Sequence, residues 1–406
     1  MLSYQDARKK VIEVCRGLRR TPPTEKIELK DALLRVLAQG IRADRDYPPF
    51  DRAARDGFAV RAADCTKAGA TLRVIGEVAA GAGFRGRVGA GECVQIMTGA
   101  PVPEGADAVV MVEHTHAGED ASSVVVERVA EAGMNFAPRG SEARNGDVLI
   151  APPVRIGDAE VAVAAQAGYT RVSVYRKPRV AILSTGSEIV DASAQPGEFE
   201  IRNGNAASLG AQVRFAGGEA VPLGNATDNK DELRKRIEVG LREDILVISG
   251  GVSAGKYDLV EPVLRELGAE FFFDAVEIRP GRPAVFAICQ GKPVFGLPGN
   301  PVSTMVTFEL FVAPALDILG GADARALPLL KAKLANAVEQ HAPLTYFLPA
   351  RLDWPAGEAT VATLQWQGSG DIATVARGNC FLVVPREKLK LAAGEWVDVL
   401  PRGGIL

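Results

Sequence analysis

One segment constrains this chain more than any other: Ile245-Leu-Val-Ile-Ser-Gly-Gly-Val-Ser-Ala-Gly-Lys-Tyr-Asp258. Its four consecutive apolar residues, 245–248, read as a buried parallel strand, because a strand covered on both faces needs no polar side. Gly250, Gly251 and Gly255 let the backbone turn tightly and approach a ligand closely. Residues 259–267 then show helical spacing. A glycine loop between strand and helix aims backbone N–H groups and a helix dipole at an anion. No Gly-Lys-Ser/Thr follows, so this is not a Walker loop, and it is not GxGxxG. Taken alone it fits a phosphate cradle or a plain strand-to-helix turn.

The surrounding pattern widens the reading. Residues 179–184, 220–223, 284–288 and 293–296 are short apolar strand candidates. Residues 206–215, 231–242 and 301–319 have helical texture, with Asn205 placed to cap the first of these helices. Such alternation implies a parallel sheet with helices on both faces. Upstream, residues 4–20 form an amphipathic pattern in which Ala7, Val11, Val14, Cys15 and Leu18 share one face. A second short helix is expected within 25–39, closed by Gly40, and another over 157–168. Residues 51–137 carry β-branched runs between glycine turns, such as 71–75, 108–112 and 123–127, the texture of an all-β module. Residues 325–406 return to β texture.

The expected architecture is therefore multidomain α/β and β. A segmented helical subdomain (1–50 and 138–177) is interrupted by a β insertion (51–137). An α/β domain (178–324) follows, then a carboxy-terminal β domain (325–406). At 406 residues the chain is long enough for several domains. A formal net charge of −3 gives no global field toward nucleic acid. Five cysteines, never spaced CxxC, argue against a disulfide framework or a cysteine zinc site. His114 and His116 are two apart, but no third metal ligand is evident. The amino terminus carries charge where a signal peptide needs an apolar core, and no apolar run approaches the ~20 residues of a membrane span. The cytoplasm is the expected compartment, with no membrane partner.

In a doubly wound sheet, ligands sit beyond the carboxyl ends of the strands. Three glycine-bearing loops fall there: Leu183-Ser-Thr-Gly-Ser-Glu-Ile-Val190, the 250–258 loop, and Gly296-Leu-Pro-Gly-Asn-Pro-Val-Ser303. Together they suit a phosphorylated or nucleotide-like ligand better than three unrelated capping turns. Thr185 and Ser187 offer hydroxyls and Gly186 offers backbone. The carboxylates Glu188, Asp228 and Asp258 gather at the same edge. Beside a phosphate they would repel it unless a hard cation mediates, and Mg²⁺ takes carboxylate and phosphate oxygens together. Asp228 also reads as a helix N-cap. Arg279-Pro-Gly-Arg-Pro283 is a basic turn, either a fork-like anion site or a solvated hairpin. Asp51, Asp56 and the Ile96-Met-Thr-Gly-Ala-Pro-Val-Pro103 segment read as β-turns.

These segments, in order from Pro49 to Ser303, resemble the molybdopterin molybdenumtransferase family, to which the carboxy-terminal domain of gephyrin also belongs. The family pattern is Pro-x-Phe-Asp-x-Ser-x-x-Asp-Gly-Tyr-Ala, Met-Thr-Gly-Ala, Thr-Gly-Ser/Asp-Glu, Gly-Gly-Val-Ser-x-Gly-x-Tyr-Asp, Pro-Gly-Lys-Pro and Gly-Leu-Pro-Gly-Asn-Pro-Val-Ser. The resemblance implies a transferase that inserts molybdate into adenylylated molybdopterin, releases AMP and uses Mg²⁺. It also implies four domains, ending in a β-barrel, in an elongated homodimer whose sites are built from two chains. The adenylylated pterin would be supplied by a molybdopterin adenylyltransferase, and the cofactor passed to molybdoenzymes or their chaperones. On the resemblance, Thr185, Gly186, Ser187 and Glu188 hold pterin phosphate and adenylate. So do Gly250, Gly251, Val252, Ser253, Gly255, Lys256 and Asp258, with Pro298, Asn300 and Pro301. Asp56, Thr98 and Glu142 would reach the site from a partner chain. Arg279, Arg282, Ser303 and Ser369 would hold molybdate.

The chain departs from the pattern in places. Ala54 stands for the usual Ser, Glu142 for Asp, Arg279 and Arg282 for lysines, and Leu344 for an Arg that Arg351 is positioned to replace. An adenylyltransferase on the same α/β domain would carry Gly-Gly-Thr-Gly and a following Arg-Asp, which this chain lacks. A non-catalytic scaffold would not need the intact carboxylate set.

Overall fold

The computed structural model describes residues 1–18, 21–252 and 259–403. The apolar run that opens the sequence argument lies inside a six-stranded sheet. In chain order its strands are β1 Arg179–Thr185, β2 Glu219–Ala226, β3 Ile245–Ser249, β4 Glu270–Phe273, β5 Val285–Cys289 and β6 Lys292–Leu297. The spatial order is β2-β1-β3-β6-β5-β4. The first four are mutually parallel; β5 alone is reversed, pairing antiparallel with β6 on one side and with β4 on the other. The expectation of a wholly parallel sheet is thus corrected at one edge. There Gln290 and Gly291, both left-handed (φ 50° and 74°), make a tight hairpin between β5 and β6.

Both faces of this sheet are covered, which is why its strands read as unbroken apolar runs. Val180, Ile182, Ile245, Val247 and Phe295 point to one core; Ala181, Leu183, Leu246, Ile248 and Val294 point to the other. The helices, in chain order, are α1 Tyr4–Leu18, α2 Asp158–Gln166, α3 Gly204–Phe215, α4 Lys230–Gly240, α5 Val260–Glu266 and α6 Pro301–Leu319. Helices α1, α3 and α6 cover the first face, α4 and α5 the second. Helix α6 is long and apolar enough to cross a membrane by length and composition, but 83% of that stretch is buried inside the protein. Its middle, Phe308–Val312, widens into a π turn just before Pro314. Proline has no N–H to give the Leu310 carbonyl. The Arg8 guanidinium of α1 donates to that carbonyl instead, at 2.8 Å.

The amino-terminal and middle segments pair with each other, and they are more β than helix. Within 25–39 the expected helix is replaced by strand Thr24–Glu28, one 3₁₀ turn and strand Val36–Leu37. Thr24–Glu28 pairs along its whole length with Arg171–Tyr175. That distant partner is what overrides local helix propensity. Between these segments lies a separate six-stranded sheet, whose strands run from Gly57–Val60 to Ser123–Val126. At the carboxy terminus, Thr345–Asp353, Thr360–Thr363, Leu330–Leu334, Trp396–Pro401 and Cys380–Val384 close into a barrel, the last pairing back on the first. Strand Ile278–Arg279, just before the basic turn, joins this barrel sheet in parallel with Thr345–Asp353.

Candidate functional site

The carboxyl ends of β1, β3 and β6 and the amino ends of α3 and α6 enclose a cavity of about 700 Å³. Its wall includes Thr185, Gly186, Glu188, Asp228, Gly250, Gly251, Val252, Pro298, Asn300 and Pro301. All ten are among the candidate site residues named from the sequence and the family resemblance. The first loop approaches so closely that the second must be glycine. Gly250 and Gly251 have φ of 93° and 65°, and a Cβ on either would sit 2.8–2.9 Å from the Thr185 hydroxyl oxygen. The Gly250 N–H donates to Leu297 O (3.0 Å), tying the second loop to the third. The amino ends of α3 and α6 open on this space, the arrangement that favours an anion.

Asp228 is free of the helix-capping role that its position suggests. Asn229, not Asp228, caps α4: its side chain accepts from the N–H groups of Asp231 and Glu232. Asp228 instead accepts from the Ser187 hydroxyl (2.8 Å) and N–H (3.3 Å). Ser187 thus holds Asp228 rather than lining the cavity. Likewise Asn203, not Asn205, caps α3 by accepting from Ala206 N. Asn205 is left to donate to Ser249 Oγ (2.8 Å) and Gly299 O (2.7 Å), bridging the second and third loops. Asn203, Asn205, Ser249, Arg202 and Pro283 all line the cavity and were missed as site residues. For Asn203 and Asn205 the signal was there, in polar residues at a helix start, but each also reads as an ordinary cap. Thr185 Oγ1 is buried without a hydrogen-bond partner among the described residues. Ser253, Gly255, Lys256 and Asp258 lie outside the described residues. Among the described residues no three His, Cys, Asp or Glu side chains gather as a metal site, and His116 pairs with Glu127 instead.

The basic turn lies beside this cavity, which Pro283 helps to wall. Arg279 and Arg282 are exposed, and neither has an ion pair or hydrogen bond through its side chain among the described residues. Gly281 (φ 108°) is buried, and a Cβ there would lie 2.8 Å from Thr307 Cγ2, so the turn is pressed onto α6. At the rim, Asn300 Nδ2 donates to Ser369 Oγ (2.8 Å), and Ser369 O accepts from Val302 N. Ser303 is 3% exposed in the first turn of α6 and is not part of the cavity wall. Arg351 is engaged by Asp353 (3.0 Å) on the exposed side of strand Thr345–Asp353 rather than at the cavity.

Residues of the insertion do not reach this cavity within one chain. Asp56 accepts from Thr98 N (2.6 Å) and Thr98 Oγ1 (2.7 Å), and these bonds hold its carboxyl below the usual value. Glu142 pairs with Arg52 (2.9 Å). Asp56, Thr98 and Glu142 are absent from the cavity wall.

Comparison with known proteins agrees along the whole chain. Family models match at residues 2–168 (MoeA N-terminal region, domain I and II), 181–318 (probable molybdopterin binding domain) and 331–401 (MoeA C-terminal region, domain IV). The molybdopterin molybdenumtransferase of Bacillus subtilis is 35% identical over 384 residues, 93% of this chain and 89% of that one. The Staphylococcus aureus (strain Mu50) protein of the same name is 34% identical over 386 residues, 93% and 91% of the two. Two solved structures of molybdopterin biosynthesis MoeA proteins from Pyrococcus horikoshii superpose over nearly the full length. One has a TM-score of 0.80 at 28% identity, covering 99% of this chain and 100% of that one. The other has 0.76 at 32%, covering 97% and 98%.

Proposed function

The chain belongs to the molybdopterin molybdenumtransferase family, and on that premise we propose that its carboxyl-edge cavity joins molybdate to the dithiolene of adenylylated molybdopterin and releases AMP. The observation that carries this reading is the meeting of three glycine loops on one cavity beside a basic turn without anionic partners among the described residues. Both substrates are anions. The protein's task is to bring them together and offset their charge, and no covalent nucleophile is needed.

In this reading the Thr185–Glu188 and Gly250–Asp258 loops, with Pro298, Asn300 and Pro301, hold the phosphates through backbone N–H groups and the end of α6. Arg279 and Arg282, with Ser369, hold molybdate, and the buried Ser303 drops out of the expected set. Two Mo–S bonds form as oxygen ligands of molybdenum leave as water with the dithiolene protons. Water cleaves the phosphoanhydride, and AMP departs. Glu188 and Asp228 offer hard oxygen donors on one wall, and the orphaned Thr185 hydroxyl adds a third, which suits Mg²⁺. Asp258 would complete the set. When bound, Mg²⁺ supplies charge neutralisation at the phosphate oxygens. Ser187 fixes the Asp228 carboxylate by a hydrogen bond.

Asp56, Thr98 and Glu142 would act in trans, which makes the working unit a homodimer. The domain limits 1–50 with 138–177, 51–137, 178–324 and 325–406 belong to the same proposal. So do the place between a molybdopterin adenylyltransferase and the molybdoenzymes or their chaperones, and a cytoplasmic setting. The test is to mix the protein with adenylylated molybdopterin and molybdate and then add an apo-molybdoenzyme. Activity should appear in the apo-enzyme, and only with all three present. An adenylyltransferase would need ATP and unadenylylated pterin instead, and a scaffold would release no AMP.

A further inference from the structure

Of the two arginines in the basic turn, Arg279 has the more definite seat. It pairs across the strand register with Tyr346, and Thr345 N donates to Glu277 O (3.0 Å) just beside it. The Arg279 guanidinium carbon lies 5.7 Å from the centroid of the Tyr346 ring. A guanidinium within about 6 Å of an aromatic face is attracted by the ring quadrupole. The ring itself is fixed: Tyr346 is 7% exposed and packs in the barrel core with Leu352, Leu382 and Val384. Its hydroxyl is buried and has no hydrogen-bond partner among the described residues. A buried phenol ordinarily finds a partner, so the hydroxyl does not explain the residue. The ring face does. Leu344, which stands where the family has an arginine, packs against the same barrel core.

We propose that Tyr346 is a positioning residue for the oxyanion site: its ring holds the Arg279 guanidinium at the junction of the α/β domain and the barrel. This rests on the reading that Arg279 binds molybdate. Gly281 presses the turn on α6 from one side, and Tyr346 steadies it from the barrel. With Leu344 unable to contact an anion, the site depends on two guanidiniums, and loss of order in one is felt directly. The barrel thereby sets molybdate affinity without touching molybdate.

The test replaces Tyr346 with Phe and then with progressively fluorinated phenylalanines, which keep the shape and withdraw the quadrupole. Molybdate and AMP binding to the full-length protein are each measured by equilibrium dialysis, beside Arg279→Ala. Tyr346→Phe should bind molybdate within about twofold of wild type. Full fluorination should weaken molybdate binding about three- to tenfold, stepwise with fluorine number, and leave AMP binding unchanged. Equal molybdate affinity across the fluorinated series, with Arg279→Ala weakened, overturns the role of Tyr346. If Arg279→Ala binds molybdate like wild type, the assignment of molybdate to the basic turn fails, and this inference with it. A parallel loss of AMP binding in the fluorinated series would mark a general packing defect and overturns it too.

Discussion

Removing the Asp317 carboxylate should destabilise the junction behind the site more than any exposed ion pair in the chain. Asp317 is 2% exposed on the last turns of α6. It accepts from Arg155 Nη2 (2.7 Å), Arg325 Nε (2.7 Å), Arg325 Nη2 (2.5 Å) and Arg325 N (2.9 Å). Arg8, also buried, donates to Leu310 O and Arg325 O close by. Burial pulls the Arg325 guanidinium down, but the hydrogen bonds and charge of Asp317 overcome this and hold it above its ordinary value. Asp317→Ala strands the part-buried Arg155 and Arg325 guanidiniums without their counter-charge. Breaking such a pair on one side costs about 3–5 kcal/mol, roughly 6–20 °C in the melting of a domain this size. Scanning calorimetry of the full chain reads it, and added salt should change it little because the group is buried. Replacing Asp317, Arg155 and Arg325 together by apolar residues should recover most of the loss. A shift below about 2 °C for Asp317→Ala, or no recovery in the triple variant, refutes the reasoning.

Three further outcomes are expected. Gly250→Ala puts a Cβ 2.8 Å from Thr185 O at φ 93°, so it should lower AMP affinity by at least about tenfold, the loss of one charge-assisted hydrogen bond, with the fold retained; titration calorimetry with AMP checks it. Burial raises the Glu309 carboxyl above 4.5, partly offset by Arg325 and Arg8. A raised folded value gives stability that is present below pH 4.5 and lost as pH rises through the folded value. Glu309→Gln should therefore be more stable than wild type at neutral pH, with the gap closing toward pH 4, as urea denaturation at both pH values will show. Light scattering should give about twice the 42.9 kDa chain mass, and an active particle of single-chain mass would remove the role given to Asp56 and Thr98 in trans.

Much of the site was legible because its loops are written in contiguous glycine-rich segments. Thr185, Gly250 and Asn300 could be placed on one edge once their strands were assigned, since topology fixes where strand ends point. The family resemblance stood for the same reason, and the comparisons bear it out. What local reading missed depends on distant or neighbouring competition. Thr24–Glu28 is a strand because Arg171–Tyr175 pairs with it. Asn203 and Asn229 took capping roles that adjacent Asn205 and Asp228 fit equally well by type. Only geometry decides which of two neighbouring polar residues caps and which faces a ligand. The antiparallel edge turned on Gln290-Gly291, a two-residue hairpin signal between runs that alternation had assigned to a parallel sheet.

The most direct test of the account is stoichiometry in a single turnover. The protein is mixed with adenylylated molybdopterin, molybdate and Mg²⁺, and AMP and pterin-bound molybdenum are counted in the same quenched sample. The account expects one AMP for each molybdenum bound to the dithiolene, both absent when molybdate is withheld. AMP released at full yield without molybdate, or molybdenum bound without AMP release, would contradict it.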